Sequence, residues 1–84
     1  MSEALLYDRV VAITEEYLGP AAHRFVARQV AFHFHKAPQE LTVGDLPKLI
    51  EWTRLSLALI TENYTLIDEC IRKLSQLAKL EEIS

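Results

Sequence analysis

The chain has few of the residues that punctuate or cross-link a protein. Among 84 residues there are two glycines, three prolines and one cysteine, Cys70. A single thiol cannot close a disulfide within the chain, so the sequence does not resemble a secreted disulfide scaffold. No glycine-rich phosphate loop, paired-carboxylate arrangement or zinc motif is present either. These absences argue against nucleotide binding, redox chemistry and a conventional metal site.

Long apolar runs are also missing. No segment approaches the roughly 20 consecutive apolar residues that cross a membrane. The start MSEALLYDRV carries acids before any cluster of basic residues, unlike a secretory signal peptide. We therefore expect a cytoplasmic protein without a membrane partner.

The composition is that of a small folded protein. Half of the residues are apolar and a quarter are charged, which is too hydrophobic for a disordered chain. A domain of this size buries only about 60 to 65% of its unfolded surface, so a partner would add useful stability. The net charge of −3 gives no overall attraction for nucleic acid or an anionic membrane.

Glycine and proline divide the chain into four predicted helices, at about 3–18, 20–35, 43–60 and 63–81. The segment LGP suits a corner, with Gly19 ending one helix and Pro20 beginning the next. Thr42 or Asp45 can cap the third helix, and Thr61 or Asn63 the fourth. The short connections predict one all-α domain over 1–84, a compact four-helix bundle that forms a dimer.

Apolar residues at helical spacing predict which faces are buried. The first helix, with Ser2 available as its cap, has Leu6, Val10, Ile13 and Tyr17 on one face. The fourth has one apolar stripe made of Ile67, Cys70, Ile71, Leu74, Leu77 and Ala78. Because Cys70 lies in this stripe, we expect it in the core and not in a catalytic role.

Three histidines stand in the second predicted helix, and their spacing does not favour a metal. His33 and His35 diverge by about 160° around a helix, and His23 is ten residues from the nearer one. A site completed by Cys70 or by acids of other helices remains an alternative, and the role of the histidines stays open. Gln29 and His33 are four residues apart at the edge of the core or in an interface, and would need hydrogen-bond partners if buried.

A cationic stripe on the same helix allows two interpretations. Arg24, Arg28 and His35 share one side, next to Phe25 and Phe32, and Lys36 follows. Acids of the first helix can neutralise this stripe, and so can an acidic partner protein. Those acids are Glu3, Asp8, Glu15 and Glu16. Alternatively, the stripe contacts a polyanion such as nucleic acid.

The third helix has apolar residues on two opposite sides. Its core face is predicted to comprise Leu46, Leu49, Ile50, Thr53, Leu57 and Ile60. Trp52, Leu55 and Leu59 form a second stripe on the far side. Either the chain covers this stripe itself, or the stripe is a partner interface. The small size of the domain favours an interface, with a second copy as the first choice of partner.

The segment YLGPAAHRFVAR, from Tyr17 to Arg28, resembles the Y-I-G-P-I-A start of a small helical domain found at the C-terminal ends of bacterial signalling proteins, including serine/threonine kinases and response regulators. Leu18 and Ala21 replace the isoleucines of that pattern, and LTVGDLPKLIEW has no counterpart in it. The resemblance covers about a dozen residues. It implies a non-catalytic interaction or regulatory module and transfers no catalytic or ligand residue.

Together these observations predict a non-catalytic, self-associating regulatory or scaffold module that needs no cofactor, metal or small-molecule substrate. The partner is a second copy or another protein. The alternative is an accessory nucleic-acid-binding protein that uses Arg24, Arg28, His35 and Lys36.

Overall fold

A computed structural model of the chain describes residues 5–83, and their side chains as far as residue 81. All regular structure in this range is helical, so the predicted all-α class is confirmed. The α-helices are α1 (Leu6–Leu18), α2 (Ala22–Gln29), α3 (Leu46–Ile60) and α4 (Tyr64–Ile83). Every helix between residues 5 and 83 is too short or too polar to cross a bilayer. Ser2 and Glu3, assigned above as a cap and an acidic partner, lie outside the described residues.

The chain divides into two compact units. The first ends at Thr42 and contains α1 packed against α2, and the second begins at Val43 and contains α3 packed against α4. The division falls within the segment KAPQELTVG, residues 36–44, which the sequence predicts to be the only substantial loop. Each unit is thus a helical pair joined by a short connection. One bundle domain over 1–84 stays a prediction.

The second predicted helix is not one regular helix. Gly19–Ala21 form a 3-10 turn, α2 has only eight α-helical residues, and Val30–Phe34 form a π-helical turn. Only α1, α3 and α4 exceed ten residues among the helices described, so the prediction of four long helices is wrong. In 3-10 and π turns the accepting carbonyl moves by one residue, a change that apolar periodicity does not record.

Both ends of this second segment lie where the sequence predicts them. Gly19 has a φ of 64°, which a residue without a β-carbon adopts at little cost, and Pro20 follows it in the 3-10 turn. His35 ends the π turn in the left-handed conformation, with a φ of 55°. A 3-10 turn at Pro38–Glu40 then leads into the loop, where the Ala37 N–H donates to Glu40 Oε1 at 2.8 Å.

The buried face of α1 is rotated from the predicted one and shares only Val10 with it. Tyr7, Val10, Val11 and Thr14 are buried, whereas Leu6, Ile13 and Tyr17 are only half-buried. Two of the buried residues carry hydroxyls that are satisfied nearby. Tyr7 donates to the His23 carbonyl at 3.0 Å, and Thr14 donates to the Val10 carbonyl at 2.8 Å. Because such bonds remove much of the cost of burying a hydroxyl, apolarity alone misidentified the face.

The second unit follows its predicted boundaries closely. α3 begins at Leu46 after a 3-10 turn at Val43–Asp45, and Asp45 holds the N-cap position without a side-chain capping bond. Thr61 is extended and ends α3. Asn63 caps α4, because its Oδ1 accepts the Leu66 N–H at 3.1 Å. Of the two caps predicted for the fourth helix, Asn63 is therefore the one used.

The buried stripes of α3 and α4 are largely those predicted. In α4 the whole predicted stripe is buried except Ala78, which is half-buried. In α3, Leu46, Leu49, Thr53 and Leu57 are buried and Ile50 is half-buried. Ile60 is the exception, with 60% of its surface exposed. The prediction that Ile60 lies in the core is wrong because it is the last helical residue, after which the chain turns into extended backbone at Thr61.

Candidate functional site

The most unusual surface of the second unit is the far side of α3. Trp52, Leu55 and Leu59 expose 39%, 51% and 86% of their surface, respectively. At about 100° per residue, they lie on average about 130° around the helix from its buried face. Of the two alternatives left by the sequence, the structure shows exposure and not internal burial. We call these three residues the α3 patch.

Two further apolar residues are exposed where α3 ends and α4 begins. Ile60 is exposed there, and Tyr64 exposes 69% of its surface in the first turn of α4. Sequence reasoning assigned neither residue to a surface site. The polar run Thr61–Asn63 could have indicated their exposure, because apolar residues on either side of a polar turn lie at a solvent-facing corner. At about 100° per residue Ile60 points about 100° away from Leu59, so it lies on a different side of α3 from the α3 patch.

Charged residues stand at the two ends of the α3 patch. Lys48 precedes Trp52 by one helical turn, on the same side of α3. Glu62 lies two residues after Ile60, the last residue of α3. Neither Lys48 nor Glu62 makes an ion pair with any side chain that the structure describes, from residue 5 to residue 81. The last turn of α3 also contains no basic residue. The carbonyl end of α3, which carries partial negative charge, thus has no cation from its own helix.

The first unit presents a cationic surface on α2. Arg24 and Arg28 line an open pocket of about 190 Å³, together with Ala21 and the half-buried Phe25. Both arginines are exposed, and neither is ion-paired to any residue that the structure describes. Like charges four residues apart on a helix repel each other by a few tenths of a kcal/mol. An anion seated between the two guanidinium groups would relieve that repulsion.

The structure does not join all the predicted members of the cationic stripe. The described acids of α1 form no ion pair with Arg24 or Arg28, so the predicted neutralisation from that helix is absent there. His35 is exposed but follows the π turn, where the regular 100° spacing that placed it on the stripe no longer applies. Lys36 is half-buried and makes an interaction of its own, whereas Arg24 and Arg28 are exposed. The cationic surface is therefore mainly the arginine pair.

The three histidines have separate surroundings. His23 lies edge-on to the Tyr7 ring, with the ring centres 5.5 Å apart, and its carbonyl accepts the Tyr7 hydroxyl. The His33 ring lies 5.2 Å from that of Phe32, which is largely exposed. In the described chain no three histidine, cysteine, aspartate or glutamate side chains gather as a metal site would require. Cys70 is fully buried.

One polar group in the first unit lacks a partner. The Gln29 side chain is buried, and its Oε1 accepts no hydrogen bond from any described residue. Gln29 is the last residue of α2, directly before the π turn. The sequence predicted that a buried Gln29 would require partners, but the structure leaves this acceptor unmet. Buried side-chain acceptors are ordinarily hydrogen-bonded, so Gln29 Oε1 is an exception among the described polar groups.

Burial also affects one titratable group. Desolvation raises the pKa of the Tyr7 phenol above its ordinary value of 10.0, and the negative charge of neighbouring Asp8 raises it further. Both effects disfavour the phenolate. Tyr7 therefore remains a neutral hydrogen-bond donor to α2 at physiological pH.

Comparison of the chain with protein-family models, curated proteins and solved structures gives no match, so no family is assigned.

Proposed function

We propose that this protein is a non-catalytic interaction module that pairs with a second copy of itself through the α3 patch. The observation that carries the proposal is the exposure of Trp52, Leu55 and Leu59 on the side of α3 opposite its buried face. A regulatory or scaffold role in bacterial signalling is the context that the YLGPAA segment suggests. The dimeric bundle and the cytoplasmic location belong to the same proposal.

Physical considerations support self-association as the use of this surface. Fully burying one exposed large apolar side chain contributes about 1.5 to 3 kcal/mol. The three residues of the α3 patch can each add the part of that contribution that corresponds to the surface they still expose. Tryptophan is enriched among the residues that dominate interface energies. The opposite charges of Lys48 and Glu62 at the two ends make the surface complementary to a copy of itself. A second copy is therefore a better match than a partner of uniform charge.

The experiment is a concentration series by light scattering at physiological salt. We expect the mass to rise from monomer to dimer as the concentration increases. Trp52→Ala should shift this transition to higher concentration while helicity by circular dichroism stays unchanged. Leu80→Ala is the matched control, because Leu80 is also an exposed leucine but lies on α4. A monomer at every concentration would contradict self-association.

A second candidate function has its own supporting observation. The unpaired Arg24 and Arg28, with Phe25 between them in the pocket, could hold the phosphates and bases of nucleic acid, as an accessory nucleic-acid-binding protein would. This candidate predicts oligonucleotide binding that weakens steeply between about 50 and 200 mM salt, as counterion release requires. The variant with both arginines changed to glutamine should lose that binding. Absence of binding at low salt would reject this function.

A further inference from the structure

We infer that the two copies pair their α3 helices antiparallel, so that Lys48 of each copy reaches the C-terminal end of α3 in the other. This inference rests on the proposed self-association and specifies its geometry. It adds Lys48 and Glu62 to the interface, which the sequence analysis did not assign. It also predicts which of the two possible polarities the pair adopts.

The spacing of the exposed row makes it self-complementary when one copy is reversed. Lys48, Trp52, Leu55 and Leu59 are separated by four, three and four residues, and they lie within about 60° of one another around α3. The row is about 16 Å long at 1.5 Å per residue. A two-fold axis through its middle lays Trp52 against Leu55 of the other copy. The same axis places Lys48 alongside the other copy's Leu59.

The charges of α3 favour this arrangement. Lys48 lies in the first turn of α3, where the partial positive charge of the helix end disfavours a cation. In the antiparallel pair its ammonium group instead meets the carbonyl end of the other α3. That end has no basic residue in its last turn and is followed by Glu62. The aliphatic part of the lysine covers Leu59, and its charge stays at the edge of the interface.

A parallel pair would bring like charges together. The Lys48 residues of the two copies would face each other at one end of the seam, and the two Glu62 residues would face each other at the other end. The two helix dipoles would also point the same way, which is less favourable than opposed dipoles. The apolar residues alone allow either direction. The charged ends therefore determine the polarity.

Charge reversal tests this polarity. We expect K48E and E62K each to weaken dimerisation about tenfold at low salt, because two attractive pairs become repulsive in each dimer. The double variant K48E/E62K should recover most of the loss, and added salt should shrink all of these differences. R54E is the matched control, since Arg54 is exposed on α3 away from the row. It should change dimerisation by less than about twofold.

This design separates loss of the interface from loss of folding. A glutamate in the first turn of α3 suits the helix dipole, so K48E should not weaken the helix itself. Helicity and the thermal midpoint of the K48E monomer should match those of the wild type. In a parallel dimer, K48E would exchange one like-charge contact for another and leave the affinity unchanged. That result would overturn the inference.

Cross-linking gives a second, independent readout. A mixture of K48C and E62C chains, treated with a short bifunctional thiol reagent, should yield mixed cross-linked dimers. K48C alone should yield few, because the two introduced thiols lie at opposite ends of an antiparallel seam. Cys70 is buried and should contribute little background. Efficient cross-linking of K48C to itself would show a parallel pair, whereas a monomeric wild type would instead refute the proposed self-association.

Discussion

The two units of this chain are built alike but differ in what holds them together and in what they expose. The first unit packs small aliphatic residues and adds a hydroxyl contact between its helices, from Tyr7 to the His23 carbonyl; it contains an interrupted second helix and presents an arginine pair. The second unit packs two long helices through aliphatic stripes and presents the apolar α3 patch. A helical pair therefore does not specify a partner. The chemistry of its outward face does.

The buried and exposed leucines of α3 offer the sharpest test of this contrast. Leu57 is fully buried, so Leu57→Ala should lower the free energy of unfolding by about 2 to 5 kcal/mol. Leu59→Ala, two residues away on the exposed side, should change the unfolding of the monomer by less than about 0.5 kcal/mol and weaken association instead. Urea titration of dilute protein measures the first effect. A large loss of monomer stability in Leu59→Ala would show that the α3 patch is core.

The tryptophan of the α3 patch should matter most for association. Trp52→Ala is expected to weaken dimerisation by more than about 1 kcal/mol, because truncation removes the largest apolar side chain of the patch. Analytical ultracentrifugation at several concentrations measures the change. Phe32→Ala is a control from the first unit, since Phe32 is also an exposed aromatic residue. Equal effects of the two variants would mean that non-specific hydrophobic contacts, and not the α3 patch, drive association.

The start of α4 depends on one side chain. Asn63→Ala should lower the free energy of unfolding by about 1 kcal/mol, because the Leu66 N–H loses its acceptor. Asn63→Asp should retain most of the stability, since aspartate caps helices equally well. Thermal or urea unfolding of the two variants provides the measurement. Equal destabilisation by alanine and aspartate would show that the cap contributes little to the second unit.

The smallest expected effect concerns pH and belongs to the first unit. Folding raises the pKa of the Tyr7 phenol, so the neutral phenol contributes to the free energy of unfolding. This contribution is fully present below the unfolded-state pKa of about 10. That stability should decrease as the pH rises above this value and through the higher pKa of the folded state. Tyr7→Phe should abolish this part of the stability loss at alkaline pH. At neutral pH it should lower the free energy of unfolding by about 1 kcal/mol, because the hydrogen bond to the His23 carbonyl is lost. Identical alkaline profiles would contradict the assignment.

Regular helices of this chain follow their sequence pattern more closely than interrupted ones. The α4 stripe and the breaks at Gly19, His35 and Asn63 were predicted, because regular periodicity and turn residues act locally. The buried face of α1 was misidentified because it includes Tyr7 and Thr14. Their hydroxyls can be buried at low cost only because each donates a hydrogen bond to a backbone carbonyl. The π turn left no trace in the apolar pattern. Ile60 has core spacing, but its position at the helix end exposes it.

The candidate surfaces show the same limit. Helical geometry placed Trp52, Leu55 and Leu59 on one side of α3, and Arg24 and Arg28 on one side of α2, from spacing alone. Whether those sides are covered depends on residues distant in the sequence, which local patterns do not specify. The structure leaves both sides exposed, and it also exposes Ile60 and Tyr64 at the corner between α3 and α4.

The sequence by itself determined the helical class, the positions of the main breaks and the two-sided character of α3. These properties follow from the conformational preferences of glycine and proline and from the repeat of about 3.6 residues per turn. The tertiary structure decided which polar groups could be buried, where the second helix departed from α geometry, and which apolar side of α3 stayed exposed. These outcomes depend on contacts between segments, because burial and hydrogen-bond satisfaction are properties of surroundings and not of a residue's own type.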